Sequence, residues 1–253
     1  MINFTYKKNK DSFIDLKESV DLNSILKKEL KRGEMNKLLL PQDVVGGSFW
    51  LISVGMIGAA IFFFLERRRL SNRWGTVMTL VGVIALMSSI HYFYAKNLWV
   101  LNGQAPTQLR YIDWLLTFPL TILTFYVMLN SVSEVKRGMF WRLLVGTLVW
   151  VIAQLLGAYG YMSVTLGFLV GIVGWLYIIG ELYMGDAGRM NASCNNDSVQ
   201  MAFFANRLII TIGFSIYHIG YFIEHLAGGA NINSLNVIYN LADFLNKIIF
   251  GMI

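Results

Sequence analysis

Long apolar runs separated by short polar segments dominate the chain after residue 46. Each run approaches the roughly 20 residues that a helix needs to cross the hydrocarbon core of a bilayer. The seven runs cover residues 47–65, 75–95, 108–130, 139–159, 162–184, 204–226 and 234–253. The pattern predicts an all-α membrane protein whose residues 47–253 form one bundle of seven transmembrane helices.

The first 46 residues follow a different pattern, with nine Lys and Arg interspersed among seven Asp and Glu. Such a mixed charge pattern is typical of a solvated segment. We therefore expect residues 1–46 to be a charged extracellular tail that is partly helical or disordered. No apolar stretch of the length found in a secretory signal lies in residues 1–40, so a cleavable signal peptide is not expected.

Composition supports the membrane assignment. Of the 253 residues, 56% are hydrophobic and only 14% are charged, against roughly a quarter charged in ordinary soluble domains. The single cysteine, Cys194, excludes an internal disulfide and a multi-cysteine metal cluster. The net charge of +6 is modest, and the basic residues do not alternate with aromatics on a polar segment. A nucleic-acid partner is therefore not expected, and the predicted location is the cell membrane.

Basic residues favour alternate loops of the predicted bundle. One set of loops carries Arg67, Arg68, Arg69, Arg73, Lys136, Arg137, Arg142, Arg189 and Arg207, whereas the opposite loops have Lys96 and little else. Because Lys and Arg are enriched in cytoplasmic loops, this asymmetry predicts an N-terminus outside and a C-terminus inside the cell. The basic residues of the tail oppose this orientation, but they alternate with acids over a long segment, where the rule is weak.

Asp243 and Lys247 lie in the last apolar run and are four residues apart, on one face of a helix. An ionisable group near the centre of a membrane costs at least about 2.5 kcal/mol, so each one requires a partner or a purpose. A lysine held away from water becomes a nucleophilic amine, which can form a Schiff base with a carbonyl compound. The alternative is an intramembrane ion pair that only stabilises packing.

A second polar face lies in the third run, where Arg110, Asp113 and Thr117 follow one another at helical spacing. A second carboxylate facing the same lysine would give a cationic centre two counterions, with an arginine to balance them. This arrangement suits a protonated imine. A water-lined polar pocket without covalent chemistry is the alternative.

Several aromatic residues could line a ligand pocket between the helices. They are Trp114, Trp175, Phe214, Tyr217 and Tyr221. Together they could enclose a long, flat, apolar ligand, since ligands of helical bundles bind between helices. Each of them could also be ordinary core.

Two segments carry a resemblance to a known family. Residues 110–120, RYIDWLLTFPL, and residues 236–251, NVIYNLADFLNKIIFG, resemble helices C and G of microbial rhodopsins, most of all the proteorhodopsin group. The resemblance extends over all seven runs and excludes the first 45 residues. It implies a seven-helix photoreceptor and ion transporter, not an enzyme, with all-trans-retinal bound covalently to Lys247 as a Schiff base. Similar proteins also suggest a homo-oligomer, either a pentamer or a trimer.

The resemblance implies a role for each polar residue of the two faces. Asp113 would be the primary counterion and proton acceptor, and Asp243 the second counterion, hydrogen-bonded by Tyr217. Arg110 would organise an extracellular water cluster, and Thr117 would support Asp113. His91 stands where proteorhodopsins have a histidine that pairs with the acceptor aspartate. A buried neutral imidazole is the alternative for His91.

Four positions depart from the family pattern. Thr124 occupies the place of the carboxylic proton donor, and a hydroxyl cannot release a proton near neutral pH. Thr121 stands at the position that tunes colour, and Phe214 replaces a tryptophan. His218 replaces a proline and could gate or relay protons, or could be a neutral imidazole hydrogen-bonded within its helix.

These residues lead to one functional prediction and two alternatives. The prediction is a light-driven outward proton pump in which protons return slowly, because Thr124 cannot supply them. A light-gated cation or proton channel is the first alternative, since polar residues at Thr121, Thr124 and His218 could allow a water path. A photosensor acting through a separate partner protein is the second.

Overall fold

The computed structural model describes residue 24 and residues 38–104, 107–229 and 231–253. The chain divides into two compact units, Met1–Leu40 and Pro41–Ile253. The predictions made for the tail therefore fall almost entirely outside the described residues. The account below concerns the second unit.

Helices make up nearly all of the described second unit, and no strand occurs in that part of the chain. They are α1 (Val44–Glu66), α2 (Asn72–Asn102), α3 (Arg110–Val132), α4 (Arg137–Ala158), α5 (Val164–Tyr183), α6 (Asp186–Ser193), α7 (Asp197–His225) and α8 (residues 232–252). Short 3-10 turns, Arg67–Arg69 and Thr107–Leu109, follow α1 and precede α3. The predicted all-α fold is thus confirmed.

Six of these helices, α1 to α5 and α7, are long and apolar enough to cross a membrane. The last helix, α8, occupies the seventh predicted run. It begins as Ile232–Asp243, continues as the π-helical segment Phe244–Ile249 and ends with Phe250–Met252. The short helix α6 lies between α5 and α7, in the segment predicted to be polar.

The first helix begins at Val44, earlier than the boundary expected at residue 47. Asp43 caps it, because its carboxylate accepts a hydrogen bond from the backbone N–H of Gly46 at 2.8 Å. The Trp99 indole donates to the other carboxylate oxygen of Asp43 at 2.6 Å. These two bonds fix the start of α1 against α2, so residues 44–46 belong to the bundle.

Apolar side chains cover the outside of the bundle, and the interior contains charges. Ile61, Leu169 and Val173 are each more than half exposed. Arg110 and Lys247, by contrast, are each only 2% exposed. A water-soluble protein has the opposite arrangement. The apolar surface is therefore suited to contact with lipid, and the buried charges mark a candidate functional site.

Irregular helical segments occur where α7 and α8 approach this interior. Ile209–Gly213 in α7 and Phe244–Ile249 in α8 are π-helical, and Pro119 lies inside α3. Such π segments are frequent at functional sites, because they shift the side chains that follow around the helix axis. Lys247 lies within the second of them.

Candidate functional site

Lys247 is the centre of a buried polar cluster to which three helices contribute. Its Nζ donates hydrogen bonds to Asp113 on α3, to Asp243 Oδ2 at 3.1 Å on α8, and to Ser88 Oγ at 2.9 Å on α2. The side chain of Lys247 is 1% exposed. A charge this far from water persists only if it is paired and hydrogen-bonded, and here both conditions are met.

The two carboxylates beside the lysine have different partners. Asp243 accepts hydrogen bonds from two phenols, Tyr92 at 2.6 Å and Tyr217 at 2.5 Å. Asp113 accepts a hydrogen bond from the Ser88 hydroxyl at 2.9 Å. Ser88 therefore links the amine and the Asp113 carboxylate, whereas Asp243 is held by aromatic side chains on two other helices.

Arg110 balances the second negative charge. Its guanidinium donates to the Tyr92 hydroxyl at 2.9 Å, to Asn236 Oδ1 at 2.9 Å and to Asn240 Oδ1 at 2.6 Å. Tyr92 in turn donates to Asp243, so one phenol joins the arginine to that carboxylate. Two cations and two carboxylates thus neutralise one another within a connected network.

The three threonines of α3 are bonded quite differently. The hydroxyl of Thr117 donates to the backbone carbonyl of Asp113, that of Thr121 to the carbonyl of Thr117, and that of Thr124 to the carbonyl of Leu120, each at 2.9 Å. All three bonds remain within α3. Thr117 therefore contacts the backbone of Asp113, not its carboxylate.

A run of closely packed aromatic rings begins next to the lysine. Lys247 Nζ lies 6.0 Å from the centre of the Phe118 ring. Around Phe118, ring centres lie at 4.8 Å for Phe214, 5.0 Å for Tyr217 and 5.5 Å for Trp114. The predicted residues Trp114, Phe214 and Tyr217 are thus brought together beside the amine.

The other two predicted aromatics lie further out. The Trp175 indole donates to the carbonyl of Ile210 at 3.1 Å, and its ring centre is 4.6 Å from that of His218. Tyr221 donates to the carbonyl of Val164 at 3.3 Å and approaches Tyr111 at 6.4 Å. They border the aromatic run without contacting the lysine.

The two histidines predicted to belong to the site have unequal positions. His91 is half-buried, and its ring meets that of Tyr92 edge-on at 5.5 Å. In the described part of the chain no hydrogen bond joins His91 to Asp113, so their pairing stays a prediction. His218 is buried, with its Nδ1 3.2 Å from the carbonyl of Phe214. A hydrogen bond within its own helix is the second of the two interpretations made from the sequence.

Sequence reasoning missed several residues of the site. Ser88 and Tyr92 are four residues apart on α2, and Asn236 and Asn240 are four apart on α8. Each pair therefore shares one face of its helix. That spacing of polar residues inside an apolar run was the signal that could have found them, as it found Asp243 and Lys247.

Comparison with known proteins identifies the class. Residues 44–253 match the family of bacteriorhodopsin-like proteins, and the chain belongs to this family. It is 44% identical over 213 residues to the blue-light absorbing proteorhodopsin of Gamma-proteobacterium Hot 75m4, covering 83% of this chain and 84% of the relative. It is 42% identical over 214 residues to the green-light absorbing proteorhodopsin of Gamma-proteobacterium EBAC31A08, covering 83% and 85%.

A solved structure shows the same relationship. The crystal structure of the blue light-absorbing proteorhodopsin from Med12 superposes with a TM-score of 0.71 at 38% identity, covering 83% of this chain and 95% of that one. The resemblance to microbial rhodopsins is therefore confirmed. The protein is a multi-pass integral membrane protein of the cell membrane, and the lipid bilayer is its surroundings.

Proteins of this family bind retinal as their chromophore. The residues of the site fit that group. Lys247 provides one buried amine for an aldehyde, and Asp113 and Asp243 provide negative charge beside it. The adjoining rings of Trp114, Phe118 and others offer an apolar wall for a polyene.

Proposed function

We propose that the protein is a light-driven outward proton pump with all-trans-retinal attached covalently to Lys247. One observation carries the proposal: a single buried amine that is ion-paired with two carboxylates from two helices. A plain structural ion pair would need only one carboxylate, and replacing it by apolar residues would often be neutral or stabilising. Because proteins of this family bind retinal, we infer that this amine is where the chromophore is attached.

Bound retinal, linked through its aldehyde carbon to Lys247 Nζ, would supply a polyene that absorbs light and changes shape. The chain's own residues hold the charge there and exclude water. Trp114, Phe118 and Tyr217 are each at most 2% exposed, so the nitrogen is shielded on the aromatic side. In such surroundings the two carboxylates act strongly on any proton at Nζ.

Asp113 is the better proton acceptor of the two carboxylates. A hydrogen bond donated to a carboxylate stabilises its charged form and opposes protonation. Asp243 receives two such bonds from phenols, while Asp113 receives one from Ser88 in addition to the bond that each accepts from Lys247. A proton released at Nζ therefore passes to Asp113, and Asp243 keeps its charge.

The release side is the side of Arg110. Its guanidinium lies near the N-terminal end of α3 and bonds to Tyr92, Asn236 and Asn240. In the orientation given by the basic loops this end faces outward, with the N-terminus outside and the C-terminus inside. Proton movement from Lys247 through Asp113 towards Arg110 is then outward transport.

Reprotonation from the opposite side is slow. Thr124 stands where a carboxylic donor would be expected, and its hydroxyl is bonded to the carbonyl of Leu120. A hydroxyl does not give up a proton near neutral pH. The proton for Lys247 then comes from bulk water, which makes its return the slow step.

Illumination of a cell suspension containing retinal tests the proposal. We expect the medium to become more acidic in light, and we expect a protonophore to abolish this change. A light response without net proton movement would support the photosensor alternative. A current under voltage clamp that reverses with the ion gradient would identify a channel, and either result would overturn the pump.

A further inference from the structure

Two buried polar atoms near α5 have no hydrogen-bond partner among the described residues. They are Nε2 of Gln154 on α4 and Nε2 of His218 on α7. Gln154 is 1% exposed and His218 is 4% exposed. An unpaired polar atom in the interior is costly and uncommon, so each of them requires an explanation.

The two residues belong to one cluster, because they share neighbours. The Trp150 indole donates to Gln154 Oε1 at 3.0 Å, and its ring stacks on the His218 imidazole with centres 4.8 Å apart. Gly171 on α5 also adjoins both. A Cβ there would come within 2.7 Å of Gln154 Cγ, and the Gly171 carbonyl lies near the imidazole without forming a geometrically complete hydrogen bond to Nε2.

The hydrogen bonds already present fix what each free atom can do. An indole nitrogen only donates, so the Gln154 atom bonded to Trp150 is the carbonyl oxygen, and the free Nε2 is a donor. A backbone carbonyl only accepts, so His218 Nδ1 carries the proton that faces Phe214. In the neutral imidazole, the free Nε2 of His218 is then an acceptor. One free donor and one free acceptor match a hydroxyl group.

This cluster lies at the far end of the aromatic run that begins at Lys247. From Nζ the distance to the Phe118 ring centre is 6.0 Å, from Phe118 to Trp150 it is 5.0 Å, and from Trp150 to His218 it is 4.8 Å. Retinal carries its aldehyde at one end and its ring at the other. A retinal attached at Lys247 that extended along this run would have its ring end towards Gln154 and His218.

We propose that Gln154 and His218 recognise a hydroxyl group on the ring of the chromophore, so that the protein prefers a ring-hydroxylated retinal to retinal itself. The hydroxyl accepts a hydrogen bond from Gln154 Nε2 and donates one to His218 Nε2. This inference rests on the proposed function, since it requires a retinal at Lys247. It gives His218 a role in ligand specificity that differs from gating or relaying protons.

Competition between aldehydes tests the preference. The full-length protein, produced without chromophore, is given an equal mixture of all-trans-retinal and the derivative with a hydroxyl on the ring carbon opposite the polyene. The bound aldehydes are released with hydroxylamine and quantified by chromatography. We expect the hydroxylated form to be enriched about tenfold, because it satisfies two buried atoms that retinal leaves unpaired. The corresponding ring ketone should be enriched less, because it cannot donate to His218.

Two variants locate the preference. Gln154→Leu and His218→Phe should bring the ratio of bound aldehydes close to even. Thr147→Val is the matched control, because Thr147 is buried on the same helix but its hydroxyl already donates to the Leu143 carbonyl at 2.8 Å. It should keep the enrichment.

The outcomes separate this inference from the proposed function. Equal incorporation of the two aldehydes by the unmodified protein would overturn the inference, and would mean that buried water satisfies the two atoms. Enrichment that survives in both variants would also overturn it. If neither aldehyde produces a visible absorption band, the retinal assignment at Lys247 is wrong, which is a failure of the proposed function.

Discussion

The two halves of α3 hold their polar side chains in opposite ways. In the first half, which we term the charged half, Arg110 and Asp113 bond to side chains of α2 and α8. In the second, the threonine half, the hydroxyls of Thr117, Thr121 and Thr124 bond to carbonyls of α3 itself and to no other described residue. The charged half is therefore joined to two other helices by hydrogen bonds, whereas the threonine half has no such connection in the part of the chain that the structure describes.

This difference has an energetic cause. Charges inside a membrane must find partners on other helices, so the charged half is a network that ties the bundle together. A threonine hydroxyl can satisfy itself on its own helix and needs no such partner. Polar residues on one helix can therefore have unequal roles in transport, even when they lie on one face.

The largest expected effect concerns Lys247 on α8, whose amine contacts the charged half of α3 at Asp113. Lys247→Ala should abolish the visible absorption band of protein supplied with retinal, because no other amine adjoins Asp113 and Asp243 in the described residues. Lys96→Ala serves as the control, since Lys96 lies over the ring of Phe93 at 4.7 Å, away from the site. A band that persists without Lys247 would contradict the assignment.

Removal of the proposed proton acceptor tests the role of the charged half. Asp113→Asn should lower light-driven acidification by at least about a hundredfold, the usual size of a lost acid–base group. Asp243→Asn should lower it less, because in the proposed mechanism Asp243 keeps its charge and does not receive the proton. Initial rates of acidification in cells with equal amounts of pigment measure both. Equal losses in the two variants would show that the carboxylates do not divide these roles.

A carboxylic acid placed in the threonine half would make the halves more alike. Thr124→Glu should speed recovery of the dark state about tenfold or more, because a buried acid can supply the returning proton. Thr124→Gln has the same size without an ionisable group and should remain slow. Flash absorption spectroscopy gives the recovery rates. Similar rates in the two variants would mean that proton supply does not limit recovery.

The smallest effect is expected at Ser88, which links Lys247 to Asp113 through two hydrogen bonds of 2.9 Å. Ser88→Ala should destabilise the pigment by about 1 kcal/mol, the usual net value of such a bond. Ser89→Ala is the matched control, since Ser89 is buried next to it and donates to the carbonyl of Leu86. The rate at which each variant loses its colour on heating compares the two. Equal rates would show that the hydrogen bonds of Ser88 do not stabilise the pigment.

Much of the fold and the ionised centre could be predicted from the sequence. The lengths of the apolar runs predicted the helices. Helical spacing predicted that Asp243 and Lys247 share one helix face, and that Arg110 and Asp113 share another. The start of α1 was missed, although Asp43 before an apolar run is a typical helix cap. That boundary could have been found from the same sequence.

Contacts between helices were harder to predict, because periodicity within one helix does not fix which residues meet on different helices. The pairing of His91 with Asp113 stays a prediction, whereas the bonds of its neighbour Tyr92 to Asp243 and Arg110 were not predicted. Adjacent residues project about 100° apart on a helix, so only one of them faces a given partner. Gln154 was not predicted for a related reason, since its significance depends on His218 on α7, with α5 and α6 between them in the chain.

The most direct test of the unequal halves is the pH dependence of dark-state recovery in the unmodified protein. If the threonine half holds no donor, the proton comes from bulk water, and the recovery rate should fall about tenfold for each unit rise in pH. Flash measurements between about pH 6 and pH 9 would show this slope. A recovery rate that stays constant over that range would reveal an internal donor and contradict the account.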